Sequence, residues 1–192
     1  MPAYMTHLIV AKKVNSNAKI DFYIGNLAPD SVSDWEKKQI VHLRNTPDME
    51  SALREFGLKI DINNEYLKGV LLHLFVDWQW NNLLVLPDYI KKNGDGWYQK
   101  YWDEGGLIES YAFHHTEWAD ELWEQMDLCD TFDYIETPFI IKEDIKIMIK
   151  SSREWKMETK IGPSIEFPPA MIDKFADDAA VYFNKWCVDL KS

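Results

Sequence analysis

The sequence lacks most features that identify secreted and membrane-spanning proteins. Its 192 residues include two cysteines, Cys129 and Cys187, which are far apart and outside any CxxC pattern, so no disulfide framework is predicted. The start, Met1-Pro2-Ala3-Tyr4-Met5, does not have the basic segment followed by an apolar segment that marks a signal peptide. The longest apolar stretch, near 68–77, contains a histidine and is too short to span a bilayer. We therefore expect a cytoplasmic protein without stable membrane insertion.

Positive charge is also scarce. Lys and Arg number 21 against 32 Asp and Glu, which gives a formal net charge of −11. This balance argues against binding to a nucleic acid polymer or an anionic membrane, because both require positive charge facing phosphate. The sequence has no GxSxG and no GxxxxGK[ST], which argues against a serine hydrolase and a P-loop enzyme. An HD-type phosphohydrolase is disfavoured because no adjacent His-Asp pair occurs.

The composition is that of a folded domain, with 46% hydrophobic and 28% charged residues. Sustained strand alternation is absent, and a single all-α domain over 1–192 is predicted. Segment 21–29 is compatible with helix or strand, and 31–47 is expected to be rich in loops. The role of the C-terminal region, 129–192, stays open. The predicted helices are 4–14, about 47–56, 65–86, 97–103, about 107–128, 142–156 and 169–190.

The strongest predicted helix, 65–86, carries a histidine and an aspartate in an HxxxD pattern. His73 and Asp77 are four residues apart, which places both side chains on one helix face. A neutral imidazole and a carboxylate at this spacing can bind one divalent cation together. The alternative is a buried pair in which the histidine ring donates a hydrogen bond to the aspartate.

Further candidates lie on either side of this helix. His7, Asp30 and His42 are individually compatible with ordinary roles at caps, turns and surfaces. His114 and Glu117, followed by Asp120, lie three residues apart on the predicted helix 107–128 and can complete a metal site opposite the HxxxD pair. The alternative for this second set is a solvated acidic face.

Taken in order, these residues resemble the zinc-dependent phospholipase C family, including its bacterial intracellular members. The resemblance covers about residues 4–120. It is carried by five motifs in sequence: Thr6-His7, Gly25-x-x-x-Pro29-Asp30, His42, Tyr66-Leu67-x-Gly69-x-x-x-His73-x-x-x-Asp77, and His114-His115-x-Glu117-x-x-Asp120.

The resemblance implies a helical bundle of the phospholipase C / P1 nuclease type, with a metal cleft between helices. It also implies hydrolysis of phosphoric esters by metal-activated water, with Asp30 as a ligand that also orients or deprotonates that water. Asp77 is the implied bridge between metals. The implied ligands, for zinc or another divalent transition metal, are His7, Asp30, His42, His73, Asp77, His114 and Glu117.

Three departures from the family pattern reduce the expected number of ions to one or two. No histidine follows Asp77 in Trp78-Gln79-Trp80-Asn81-Asn82, where family members usually have one. The chain starts Met1-Pro2, whereas the secreted enzymes use a processed N-terminal tryptophan as a ligand. Position 118 is tryptophan, so the HxxxE pair of the secreted enzymes is missing.

Trp78 and Trp80 follow the HxxxD pattern and are candidates for lining a substrate cleft, although core packing is the other interpretation. A small soluble phosphoester is the expected substrate. The competing hypothesis is a catalytically degenerate domain of the same fold that binds a ligand or partner without turnover. The missing histidine after Asp77 favours that alternative, whereas the joint presence of the histidines and aspartates favours the enzyme.

Overall fold

The computed structural model describes residues 2–190, and in this range it is helical with no β-strand, as the sequence predicts. The elements outside the α-helices include two 3-10 turns, Ala28–Ser31 and Gly94–Gly96, and a π-helical segment, Gln79–Leu84. No helix in the described range is long and apolar enough to cross a membrane. The α-helices are α1 (Tyr4–Val14), α2 (Ile20–Leu27), α3 (Trp35–Val41), α4 (Met49–Lys59), α5 (Glu65–Trp78), α6 (Leu86–Asn93), α7 (Trp97–His115), α8 (Ala119–Asp127), α9 (Lys142–Glu158) and α10 (Pro169–Leu190).

Several helices begin where the sequence predicts. α5 starts after Asn64, whose side chain accepts a hydrogen bond from the Leu67 N–H at 2.9 Å and thereby caps the helix. α1, α9 and α10 also begin at the predicted residues. The ambiguous segment 21–29 is helical, because its apolar residues are buried on several sides in α2.

Other boundaries differ from the prediction. α7 runs through Gly105-Gly106, and the chain breaks only after His115, so the two predicted helices 97–103 and 107–128 are wrong. Two glycines weaken a helix by about 1 kcal/mol each, but buried residues on both sides, Tyr101 and Ile108, anchor it. The supposedly loop-rich segment 31–47 contains α3.

The helix predicted from Thr46-Pro47 begins instead at Met49. The Asp48 side chain caps it by accepting from the Ser51 N–H at 3.0 Å. This helix continues past Gly57, which lies against Leu190 of α10, where an added Cβ would come within 2.7 Å of a side-chain carbon. The predicted helix 65–86 leaves α-helical geometry after Trp78 and becomes π-helical.

One hydrophobic core joins the beginning and the end of the described chain, because α10 packs along α1. Phe75 on α5 lies near its centre, with ring centroids 5.3 Å from Phe183 and 5.5 Å from Trp186. Helices from both halves contribute to this core, so the fold has no internal division. The C-terminal region therefore completes the core through α9 and α10.

Helices α2 and α5 cross at short range, and two glycines permit the close approach of their backbones. A Cβ on Gly25 would lie 2.1 Å from the Tyr66 carbonyl oxygen, and one on Gly69 would lie 2.1 Å from the Phe22 carbonyl oxygen. No larger residue fits at either position without moving a backbone. This crossing fixes the end of α2 against the face of α5 that carries His73.

A buried ion pair connects α7 and α9 to the start of α1. Lys156 Nζ lies 3.2 Å from Glu109 Oε2, with side chains 1% and 12% exposed. The Glu109 carboxylate also accepts from the Met5 N–H at 3.2 Å, so it satisfies an otherwise unpaired donor in the first turn of α1. The Lys156 ammonium lies over the Trp123 ring, 4.2 Å from its centroid, which adds a cation–π contact.

Candidate metal centre

Five predicted ligands meet at one buried point. His7 lies on α1, Asp30 in the 3-10 turn after α2, His42 directly after α3, and His73 and Asp77 on α5. Each is at most 5% exposed. Three histidines and two carboxylates drawn from four separate chain segments therefore share one interior site.

The nitrogen and oxygen atoms of these side chains are close enough to share an ion. His42 Nε2 lies 3.2 Å from His73 Nε2, 3.4 Å from Asp30 Oδ1 and 3.9 Å from Asp77 Oδ2. His7 Nε2 lies 3.6 Å from Asp77 Oδ1, and the His7 ring stacks on the His73 ring with centroids 4.0 Å apart. Two groups, His7–Asp30–His73 and His42–His73–Asp77, each place one ligand atom per residue within 4.8 Å of the others. Such buried groups can hold a metal ion.

Backbone carbonyls set the orientation of two of the rings. His73 Nδ1 lies 2.7 Å from the Asn26 carbonyl oxygen, and His42 Nδ1 lies 2.8 Å from the Lys38 carbonyl oxygen. A carbonyl only accepts, so each Nδ1 carries the hydrogen and donates it. In a neutral ring this leaves the Nε2 lone pair uncovered, which is the tautomer that metal-binding histidines usually adopt.

The Nε2 atoms of His42 and His73 therefore face each other at 3.2 Å, with carboxylate oxygens around them. Burial and the neighbouring His7 lower the pKa of His73 well below its usual value, although Asp30 and Asp77 oppose them. Because both Nδ1 atoms donate to backbone carbonyls, such a close pair of Nε2 atoms requires a proton or a metal cation between them. One proton can bridge only this one pair of nitrogen atoms, and the cluster also contains unpartnered atoms of His7, Asp30 and Asp77.

Two cations flank the carboxylates. Arg44 Nη2 lies 2.5 Å from Asp77 Oδ2, and Lys38 Nζ lies 3.1 Å from Asp30 Oδ1. Burial alone would raise the pKa of Asp77, but Arg44, followed by His7, His73 and His42, holds it well below the usual range. Burial likewise opposes ionisation of Asp30, whose pKa is nevertheless lowered by His42, His73 and Lys38. The charges of the two cations therefore balance those of the two carboxylates.

Several ligand atoms have no hydrogen-bond partner within residues 2–190. These are both ring nitrogens of His7, both carboxylate oxygens of Asp30, and Oδ1 of Asp77. Lys38 is close enough to Asp30 Oδ1 for an ion pair, but its direction does not suit a hydrogen bond. Since buried polar atoms are nearly always paired, these atoms point to a ligand or ordered water.

The second predicted set lies elsewhere. His114 is exposed at the end of α7, and its Nε2 lies 2.9 Å from the Thr159 carbonyl oxygen. Glu117 is exposed in the break between α7 and α8, and Asp120 is exposed in the first turn of α8, so the expected single helix face does not exist. These three residues line a separate surface pocket with Met157. The structure does not bring His114 or Glu117 to the five buried residues.

The two candidate substrate-binding tryptophans occupy different surroundings. Trp80 is fully buried, donates a hydrogen bond from Nε1 to the Tyr101 hydroxyl at 2.7 Å and packs on Phe175, so the structure places it in the core. Trp78 is 5% exposed and lines the wall of a surface pocket beside Arg44, while its ring contacts Phe75.

Sequence reasoning missed Lys38 and Arg44. They lie in 31–47, which was expected to be loop-rich, and the only signal was their spacing from His42. Leu43, between His42 and Arg44, has φ 56°, a left-handed conformation that costs a non-glycine residue about 1 kcal/mol or more. This turn directs the histidine and the arginine toward the same buried carboxylate, Asp77.

Comparisons with protein-family models, with curated proteins and with solved structures found no match for this chain. The function of the chain is therefore inferred from the geometry of the buried cluster. That geometry combines nitrogen and oxygen donors, which suit zinc and neighbouring transition metals.

Proposed function

We propose that the chain is a metal-dependent hydrolase of phosphoric esters, built on a helical bundle of the phospholipase C type. The single observation that carries the proposal is the 3.2 Å approach of His42 Nε2 to His73 Nε2 beside two buried carboxylates. A metal cation binds such donors directly, and the unpartnered atoms of His7 and Asp30 supply further ligands.

The geometry favours one ion over two. Both candidate groups use His73, whose Nδ1 is committed to the Asn26 carbonyl oxygen. Its Nε2 can serve a single ion, so the two groups are alternative choices of ligands around His73.

When bound, a divalent transition metal polarises a phosphoryl oxygen and acidifies water at neutral pH. The residues of this chain supply the remaining requirements of the reaction. Asp30 Oδ2 has no hydrogen-bond partner in the described range, so it can accept a hydrogen from a water and orient it for attack on phosphorus. Lys38 and Arg44 already balance the two carboxylates, so a divalent cation leaves positive charge that an anionic phosphoester neutralises.

The second candidate function is a binding domain of the same fold without turnover. The same two cations favour it, because each carboxylate already has a positive partner and needs no metal for charge balance. The absence of a histidine in 78–82 points in the same direction.

Elemental analysis of protein purified without chelator tests the metal centre. We expect about one equivalent of a transition metal in the wild type and little in His73→Ala. His114→Ala is the matched control, since it removes an exposed histidine outside the cluster and should retain the metal. A wild-type protein that contains no zinc, manganese, iron or nickel, even after reconstitution, would refute the metal-dependent enzyme.

Turnover of 4-nitrophenyl phosphate and of its bis-ester then separates the two functions. The enzyme hypothesis predicts hydrolysis of at least one ester that is abolished by chelator and by Asp30→Asn. A metal-loaded protein that hydrolyses neither ester would leave ligand binding as the better account.

A further inference from the structure

Beside the buried cluster lies an open cleft whose charged lining residues are both cations. Its volume is about 530 Å³, and its floor includes Lys38 and Arg44. Among residues 2–190, no aspartate or glutamate lines it, although the chain carries a net charge of −11. In an acidic protein, a concave surface with only positive charged groups favours an anion.

Lys38 and Arg44 connect this cleft to the cluster. Their side chains are 18% and 24% exposed, so each reaches from solvent to a fully buried carboxylate. Arg44 uses Nη2 for Asp77, and a guanidinium carries five N–H donors. Lys38 Nζ donates to the Asp30 carbonyl oxygen at 3.3 Å and lies 3.1 Å from Asp30 Oδ1. Both cations are therefore held in place at the cleft floor.

The walls of the cleft are aromatic. Trp35 is 63% exposed, Tyr98 51% and Trp102 49%, and all three line the cleft together with Trp97. Large rings in contact with water at this density are unusual outside binding surfaces. They flank the cations, so a ligand whose anionic group lies at the floor places its other end among the rings.

The π-helical segment after α5 forms a further wall. Asn81 and Asn82 of this segment line the cleft, and the buried amide atoms of Asn81 have no hydrogen-bond partner within the described residues. Short π-helical insertions are frequent at functional sites. An unpartnered amide offers both a donor and an acceptor to a bound ligand.

We propose that this cleft binds a phosphate ester that carries a flat aromatic group, with Lys38 and Arg44 on the phosphate and Trp35, Trp97, Tyr98 and Trp102 around the ring. The proposal rests on the proposed function for the site's chemistry, since it names the substrate class of that centre. A quaternary-ammonium group is disfavoured, because the cleft lining contains two cations and no carboxylate. Removal of the metal should weaken the binding without abolishing it, because the metal adds positive charge to the cluster while the direct anion contacts come from side chains of the chain.

Isothermal titration calorimetry tests the proposal on protein as purified and after chelator treatment. The probes are phenyl phosphate, cyclohexyl phosphate, inorganic phosphate and phosphocholine. We expect phenyl phosphate to bind about three- to tenfold more tightly than cyclohexyl phosphate, and both more tightly than the other two probes, in both protein preparations.

Paired variants locate the binding. Trp102→Leu should remove the preference for phenyl over cyclohexyl phosphate, whereas Trp155→Leu, at a half-exposed tryptophan on α9 outside the cleft, should preserve it. Lys38→Met should weaken both esters about tenfold or more, whereas Lys37→Met, the same change at the adjacent exposed residue, should not. Arg44→Lys keeps the charge beside Asp77 and should retain most of the affinity for phosphate while the fold is preserved.

Three results would overturn the proposal: no binding of phenyl phosphate at millimolar concentration, tighter binding of phosphocholine, or equal effects of the paired variants. Ligand binding by a chain that takes up no metal would support the cleft and refute only the hydrolase. Metal uptake without ligand binding would refute the proposed ligand of the cleft and leave the metal centre standing.

Discussion

The close approach of α2 and α5 allows a sharp test of how the fold positions the metal centre. Gly69→Ala would place a methyl group 2.1 Å from the Phe22 carbonyl oxygen, whereas ordinary contact begins near 3.4 Å. The helices must separate by about 1.3 Å to accept it, and such overpacking costs typically 1–3 kcal/mol. His73 lies one turn further along α5, so its 2.7 Å hydrogen bond to the Asn26 carbonyl oxygen would lengthen to about 4.0 Å and break.

The expected loss is therefore both of stability and of metal affinity. We expect Gly69→Ala to lower the free energy of unfolding by about 3 kcal/mol, measured by urea denaturation, and to weaken metal binding about 10- to 100-fold, as loss of a partner behind a histidine ligand does. Gly106→Ala is the matched control, because a Cβ there meets no atom within 4 Å. In a helix interior it should raise stability by roughly 0.5–1 kcal/mol. If Gly69→Ala were as stable as Gly106→Ala and bound metal normally, the argument from the helix crossing would be wrong.

Three further predictions concern the buried charges and the metal. Lys156→Met should lower the free energy of unfolding by about 3–5 kcal/mol because it leaves Glu109 buried without a cation, whereas the double variant with Glu109→Gln should recover part of that loss in denaturation experiments. Burial, opposed by Glu109, lowers the pKa of Lys156 below 10.5, so between the folded pKa and 10.5 the unfolded chain binds more protons than the folded chain. The free energy of unfolding of the wild type should therefore rise with pH across that window, relative to that of Lys156→Met. A difference that does not change with pH would contradict the lowered pKa of a buried lysine. Zinc at about 100 times its dissociation constant should stabilise the wild type by roughly 2.7 kcal/mol and raise its Tm, with the shift lost in His42→Ala and retained in His114→Ala.

Part of the site could be predicted from sequence because one helix carries it. His73 and Asp77 are four residues apart on a segment that is apolar nearly all round, and helical periodicity alone places them together in the interior. Pairs of residues that share a face only if a helix continues past a possible break were less predictable. The expected face with His114 and Glu117 was lost because the helix runs through Gly105-Gly106 and ends at His115, which depends on side-chain burial that composition does not reveal.

The sequence by itself determined the helical class, the start of α5 at its asparagine cap, and the inventory of histidines and carboxylates. These follow from local rules, since periodicity and capping act within a few residues. The sequence grouped His7, Asp30 and His42 with α5 only through a family resemblance, and tertiary structure decided that they converge there. For Asp30, which follows α2, glycines at the α2–α5 crossing bring the two backbones together. Tertiary structure also decided that Lys38 and Arg44 reach the buried carboxylates from an aromatic cleft, because a left-handed turn at Leu43 and long-range packing are not encoded in any short motif.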